Sequence, residues 1–179
     1  MIFQKKNISI SLLAAYTAKD RVIGAQGKIP WFIPSERDRF KSICRGKYVI
    51  IGRKSFDEIG KALSYCTLVI VSKKMKTAPE GCLLCKSYKK AVRLIYRLNS
   101  GADCAAVKPR SAVEILVAGG ESIYKKAIKN CSKIYATEIK KEFKGDRFFP
   151  PLKGKWTKKV EQTVSEDGIE YDYVLFTKG

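Results

Sequence analysis

Histidine is absent from this chain of 179 residues. That removes Ser-His-Asp and Cys-His nucleophile systems and most catalytic zinc sites, each of which depends on an imidazole. Acids are scarce: 17 Asp and Glu stand against 36 Lys and Arg, for a formal charge of +19. Such a surplus favours anionic partners (nucleic acid, acidic lipid, or small molecules with phosphates and carboxylates), or it serves solubility alone. No apolar run reaches the roughly 18 residues of a membrane-spanning helix. Of the six cysteines, Cys44, Cys66, Cys82, Cys85, Cys104 and Cys131, only Cys82 and Cys85 have metal-like spacing. With no second CxxC and no histidine, they read as small buried thiols in a reducing cytoplasm, and no metal site is expected.

What is present suits a folded domain. Hydrophobic residues make up 45% and aromatics 11%, which fits one domain over residues 1–179 with a core of its own. Lys5 and Lys6 before "ISISLLAAYTA" have the outline of a secretory signal. The same stretch is also a β-branched and apolar first strand, closed by a polar turn at Lys19-Asp20. Short apolar strands then alternate with amphipathic helices, the pattern of an α/β sheet. Strands are expected at 8–16, 47–52, 67–72, 113–119 and 133–139, with two more near 155–164 and 170–177. The last two flank "SEDG" and form a hairpin. Helices fit 35–45, 54–60, 87–98 and 121–130, and residues 99–111 read as a surface loop.

Two strand-to-helix corners carry anion-binding chemistry. Gly52-Arg53-Lys54-Ser55 offers backbone N–H groups, two cations and a hydroxyl at a helix start. Gly119-Gly120-Glu121-Ser122 lets backbone approach a ligand where a Cβ would collide. Each is equally compatible with a bland role, a solvated helix start or a tight turn. Together they lie at carboxyl ends of strands, where open α/β sheets bind ligands. Ser72-Lys73-Lys74 follows a third strand, as a further phosphate site or as a charged loop.

The stretch "IPWFIPSERDRF" (29–40) holds two acids at a helix start, with Pro34 and a candidate N-cap at Ser35. Glu36 lies roughly 40° around the helix from Phe40, on the apolar stripe. Asp38 lies roughly 200° away, on the outer face with Arg39 and Lys41. An inward carboxylate must be paired, here by Arg37 or Lys41, or held for a ligand or a proton. Two carboxylate oxygens also suit an amino-heterocycle, since they accept two parallel N–H donors.

"ISLLAAYTAKDRVIGAQGKIPW", "RFK", "YVIIGRKSFDEIGKAL", "VIVS", "VAGGESIY" and "IYATEI…FKGDRFFP", in this order and spacing, resemble the dihydrofolate reductase family over nearly the whole chain. The resemblance implies a central, mostly parallel eight-stranded sheet with flanking helices and an antiparallel C-terminal strand. It implies NADPH-dependent reduction of 7,8-dihydrofolate to tetrahydrofolate, with hydride reaching pterin C6 and a proton reaching N5, in a cytoplasmic and monomeric protein without nucleic-acid partners. Glu36 would bind the pterin and promote its protonation, with Thr137 hydrogen-bonded to that carboxylate and Trp31 holding an ordered water. Leu13, Ala14, Phe40, Ile59 and Leu63 would line the pterin and benzoyl pocket, joined by Arg37, Lys41, Ala118 and Tyr124. Ala15, Ile23 and Ile29 would pack around the nicotinamide, with Gly24 opening a mobile segment over 24–28. Gly52, Arg53, Lys54 and Ser55 would cradle the cofactor, with Gly119, Gly120, Glu121, Ser122, Ile123 and Tyr124 opposite. Arg53, Lys73 and Lys74, next to Ser72, would meet the 2′-phosphate.

Three departures from the family pattern stand out. Cys66 takes the place of the arginine that grips the substrate's α-carboxylate, Arg37 replaces a hydrophobe, and Ala118 replaces a branched residue. Arg37 and Lys41, four apart on one helix face, are the expected substitute for the grip. The same changes would weaken antifolate inhibitors, as in divergent resistance-type reductases. The alternatives are a pteridine or pyrimidine reductase of the same fold, a basic nucleic-acid binder, and a non-catalytic cofactor-binding relative.

Overall fold

The computed structural model describes residues 8–100 and 112–179. The central strand is β1 (Ile8–Thr17), so the N-terminal apolar run is sheet. It is followed by β2 (Val22–Gly24), α1 (Pro34–Cys44), β3 (Tyr48–Gly52), α2 (Arg53–Ile59), β4 (Thr67–Val71) and β5 (Leu83–Cys85). Then come α3 (Tyr88–Ser100), β6 (Val113–Val117), α4 (Glu121–Ala127), β7 (Lys133–Ile139), β8 (Arg147–Phe148), β9 (Trp156–Glu166) and β10 (Ile169–Lys178).

Eight strands form one sheet in the order β5-β4-β3-β6-β1-β7-β10-β9. From β5 to β7 every pairing is parallel, and β10 lies antiparallel to β7. This is the mostly parallel sheet with an antiparallel C-terminal strand that the resemblance implied. The β9–β10 hairpin turns on Asp167 (φ 49°) and Gly168 (φ 72°), the positive pair that a two-residue hairpin turn demands. A bulge interrupts β9 opposite Tyr173 and Val174, next to Glu161.

Alternation along the strands feeds the two larger apolar clusters. Ile10, Leu12, Ala14 and Tyr16 of β1 join α3 and α4 on one face. Leu13, with Val49, Ile51, Leu68, Ile70 and Leu116, packs against α1 and α2 on the other. The carboxyl ends of β1, β3 and β6 open between these layers, which is where a parallel sheet leaves a ligand crevice.

Three elements escaped the sequence pattern, namely β2, β5 and β8. Each has two or three residues, too few for alternation to register. Cys85 lies on β5 and Cys82 just before it, both buried, and the five described cysteines are free thiols. Asn99 and Ser100 belong to α3 and not to a loop. The rest of the expected loop, 101–111, falls outside the described residues, as does Cys104. Ser35 is not the N-cap of α1. Ile33 caps the helix with Pro34 at its first position, and the Ser35 hydroxyl turns away to the hairpin.

Candidate active site

The site begins with α1. Its helical spacing places Ile33, Phe40, Ile43 and Cys44 against the sheet, and Glu36 arrives on that same side. Glu36 is half-buried in a cleft of about 980 Å³ lined also by Ile29, Trp31, Phe32, Ile33 and Arg37. Its carboxylate forms no hydrogen bond or ion pair among the described residues. Burial raises its pKa above the ordinary glutamate value, and the positive charges of Arg39 and then Arg37 oppose that rise. The pairing expected from Arg37 or Lys41 is not formed. Arg37 lies over the Phe32 ring at 5.4 Å, and Lys41 lies 6.0 Å from the Tyr65 ring.

Thr137 is fully buried on β7, yet its hydroxyl accepts a hydrogen bond from Arg39 Nη1 at 3.3 Å and makes none with Glu36. Arg39, placed by the sequence among outer-face residues, thus turns inward. Its guanidinium lies 4.4 Å from the centroid of the Tyr173 ring and 3.5 Å from Glu161 Oε2. Ser35 holds the start of the helix to the hairpin through Glu166, Tyr171 and, at 3.4 Å, Tyr173.

Trp31 packs tilted on Phe143, ring centroids 5.4 Å apart, and faces the cleft. Leu13, Phe40, Ile59, Leu63 and Ala118 all belong to the apolar cluster beneath α1 and α2. Ala14 is buried in the opposite layer, and Ala15 packs with Trp31 beside Ile33. Tyr124 is committed to the core: its hydroxyl donates to the Leu13 carbonyl at 2.7 Å, and its ring meets Phe149 edge-on. Cys66 packs half-buried against the cluster beneath α1. Burial pushes its thiol up to about 11, and neither thiol nor thiolate carries the positive charge of the arginine it replaces.

A second cavity of about 530 Å³ adjoins the first and contains most of the expected cofactor residues. Gly52, Arg53, Lys54 and Ser55 line one side, and Gly120, Glu121, Ser122 and Ile123 line the other, with Ile23 and Gly24 at the edge. The Gly119–Gly120 peptide is cis. A Cβ on Gly119 would lie 3.0 Å from Ser55 Oγ, and one on Gly120 would lie 3.2 Å from it. The two corners seen in the sequence therefore face each other closely: at Gly119, with φ 133°, a side chain would be strained as well as crowded, and at Gly120 Ser55 would have to give way. Gly52 N–H also donates to the Gly119 carbonyl at 2.8 Å. Backbone amides, two cations and a hydroxyl are a donor set suited to phosphates. Ser72, Lys73 and Lys74 stand outside both cavities. The Ser72 hydroxyl accepts from the Lys74 and Met75 amides, fixing its own turn, while both lysines are exposed.

Several site residues were not foreseen. Glu58 Oε1 accepts the Ile29 amide at 2.8 Å and so ties α2 to the opposite rim. Asp146 receives the Gln26 amide at 3.2 Å, while its own N–H donates to the Gly24 carbonyl at 3.0 Å. Between them residues 25–28 close as a tight turn, Ala25 and Lys28 exchanging two backbone hydrogen bonds and Gln26 and Gly27 both at positive φ. Gly27 and Lys28 border both cavities.

A dihydrofolate reductase family model matches residues 9–178. A dihydrofolate reductase of Staphylococcus haemolyticus is 31% identical over 168 residues, covering 93% of this chain and 92% of that one. A type 6 dihydrofolate reductase of Proteus mirabilis is 31% identical over 172 residues, covering 96% and 100%. Among solved structures, an Enterococcus faecalis dihydrofolate reductase complexed with NADP(H) superimposes with a TM-score of 0.79. It is 24% identical and covers 96% of both chains.

Proposed function

We propose, since the chain belongs to the dihydrofolate reductase family, that it reduces 7,8-dihydrofolate to 5,6,7,8-tetrahydrofolate with NADPH. The observation that carries this reading is the pairing of two adjoining cavities. One holds an unpartnered, half-buried carboxylate, and the other is a glycine cradle with cations and backbone amides. The cradle fits a dinucleotide held through Gly52 to Ser55 and Gly120 to Ile123. Bound there, reduced nicotinamide supplies the hydride.

The chain's own residues supply placement and proton management. Glu36 presents two oxygens to the amino and ring N–H donors of the pterin. Burial raises its pKa above the ordinary glutamate value, the direction that favours holding a proton for the net uptake at N5. Trp31, Phe32 and Ile29 line the side of the cleft near Glu36, an apolar wall that a bound pterin would cover. Arg53, half-buried and paired with Asp57 at 2.5 Å, is the cation that would meet the 2′-phosphate. Arg37 and Lys41, which stand beside Tyr65 next to the neutral Cys66, take over the grip on the substrate's carboxylate. A reducing cytoplasm fits the five free thiols among the described residues.

The test is the loss of NADPH absorbance with dihydrofolate, for the wild-type protein and Glu36→Gln. Wild-type turnover with a drop of about 100-fold or more in the variant is the expected result. Wild-type inactivity across pH would remove the folate assignment.

A further inference from the structure

Arg39 is a donor-only cation in a place where the sequence pattern expects a surface residue. Its side chain is only 12% exposed. Nη1 donates to Thr137, Nη2 is buried without a hydrogen bond, and among the described residues the one carboxylate paired with it is Glu161, at 3.5 Å. Because a guanidinium can only donate, Thr137 Oγ1 must accept there, and the hydroxyl hydrogen is left to point elsewhere. No acceptor for it is engaged among the described residues. The unpartnered carboxylate of Glu36 lies one helical turn before Arg39, on the same face of α1.

We propose that Arg39 is a positioning residue for Glu36: it takes the Thr137 lone pair, so that the hydroxyl is free to donate to the carboxylate, and sets a positive charge behind the site. A buried guanidinium so close favours the ionised carboxylate and opposes the effect of the apolar cleft. The Tyr173 ring on the hairpin holds the guanidinium in place, while Glu161 at the β9 bulge, 3.5 Å away, offsets part of its charge.

Other groups near Glu36 act in different ways. Arg37 on the same helix is exposed and held by Phe32. Cys44 and, from α4, Tyr124 are neutral groups whose own ionisation the Glu36 charge opposes. Across the cleft α2 presents Arg53, Lys54, Asp57 and Glu58, two of each sign. The remaining rim carries Lys28, Asp146 and Arg147, all exposed. Arg39 is the buried cation of the set.

The experiment is a carbon-13 NMR titration of the Glu36 carboxyl in the free protein, its signal assigned by its loss in Glu36→Gln. In Arg39→Gln the midpoint should rise by about one pH unit, and in Arg39→Lys it should stay near wild type. In Glu161→Gln, on the exposed edge strand, the anion competing for Arg39 is removed and the midpoint should fall. The pH dependence of dihydrofolate turnover should move in the same directions. An unchanged midpoint in Arg39→Gln, or an equal rise in Arg39→Lys, would overturn the proposal. Should Arg39→Gln fail to fold, the absence of any fall in Glu161→Gln overturns it as well. The titration needs no turnover, so a protein inactive with dihydrofolate would sink the functional reading while leaving this one to stand or fall by itself.

Discussion

Replacing Gly145 by alanine should loosen the 24–28 turn without unfolding the protein. A Cβ at residue 145 would lie 2.3 Å from Val22 Cγ1 and 2.6 Å from the Gly24 carbonyl oxygen. Neither neighbour can yield freely, because Val22 is buried on β2 and the Gly24 oxygen is held by the Asp146 amide. Relief requires β2 and the 145–147 segment to move apart. That breaks the Asp146 N–H bond to Gly24 and the Gln26 N–H bond to Asp146. At about 1 kcal/mol each, the two bonds amount to about 2 kcal/mol of local stability. Amide exchange reads this directly, and protection at Gln26 should fall by about 30-fold. The amides of β1 and β6 should exchange as in wild type. Because Gly27 and Lys28 border both cavities, kcat/KM for dihydrofolate should fall together with NADPH affinity. Wild-type protection at Gln26 with wild-type kinetics would refute the claim that this contact holds the turn.

Other perturbations have equally definite outcomes. Because burial raises the Glu36 pKa, the folded protein loses stability as pH rises from the ordinary value of 4.5 through the folded one, and the penalty is complete above it. Glu36→Gln should therefore be more stable than wild type to urea at pH 7, with the gap closing toward pH 4, while activity is lost. Arg37→Leu should raise KM for dihydrofolate about tenfold or more and leave KM for NADPH nearly unchanged, as steady-state kinetics with each substrate varied will show. Tyr124→Phe leaves the Leu13 carbonyl without its donor, and a cost of about 1–2 kcal/mol should lower the thermal midpoint by about 2–8 °C in calorimetry.

Much of this was legible in the residues themselves, for physical reasons. Strands with four or more alternating or continuous apolar residues, such as β3 and β4, declare themselves because both sheet faces are covered. The hairpin was legible because Asp167-Gly168 tolerates the positive φ that the turn demands. Glu36 was legible because a carboxylate on an apolar helical stripe contradicts its surroundings. Glycine at 119 and 120 marked a place where backbone comes close, but not what it approaches. Ser55 opposite them is a tertiary fact.

Arg39 and Ser35 show where sequence periodicity stops. An arginine three residues after Glu36 falls on the same helix face, yet its charge argues for solvent unless something inside receives it. The receivers are Thr137 on β7, Tyr173 on β10 and Glu161 at a bulge in β9, residues 98 to 134 positions away, and only sheet order and register bring them beneath α1. The pairing of Asp146 with the 24–28 turn is of the same kind, set by two strands too short to leave a pattern. The sequence by itself determined which segments become sheet and helix and that one acid faces inward, because burial and backbone geometry act locally. The charge and hydrogen-bond partners around that acid were decided only when distant strands met under one helix.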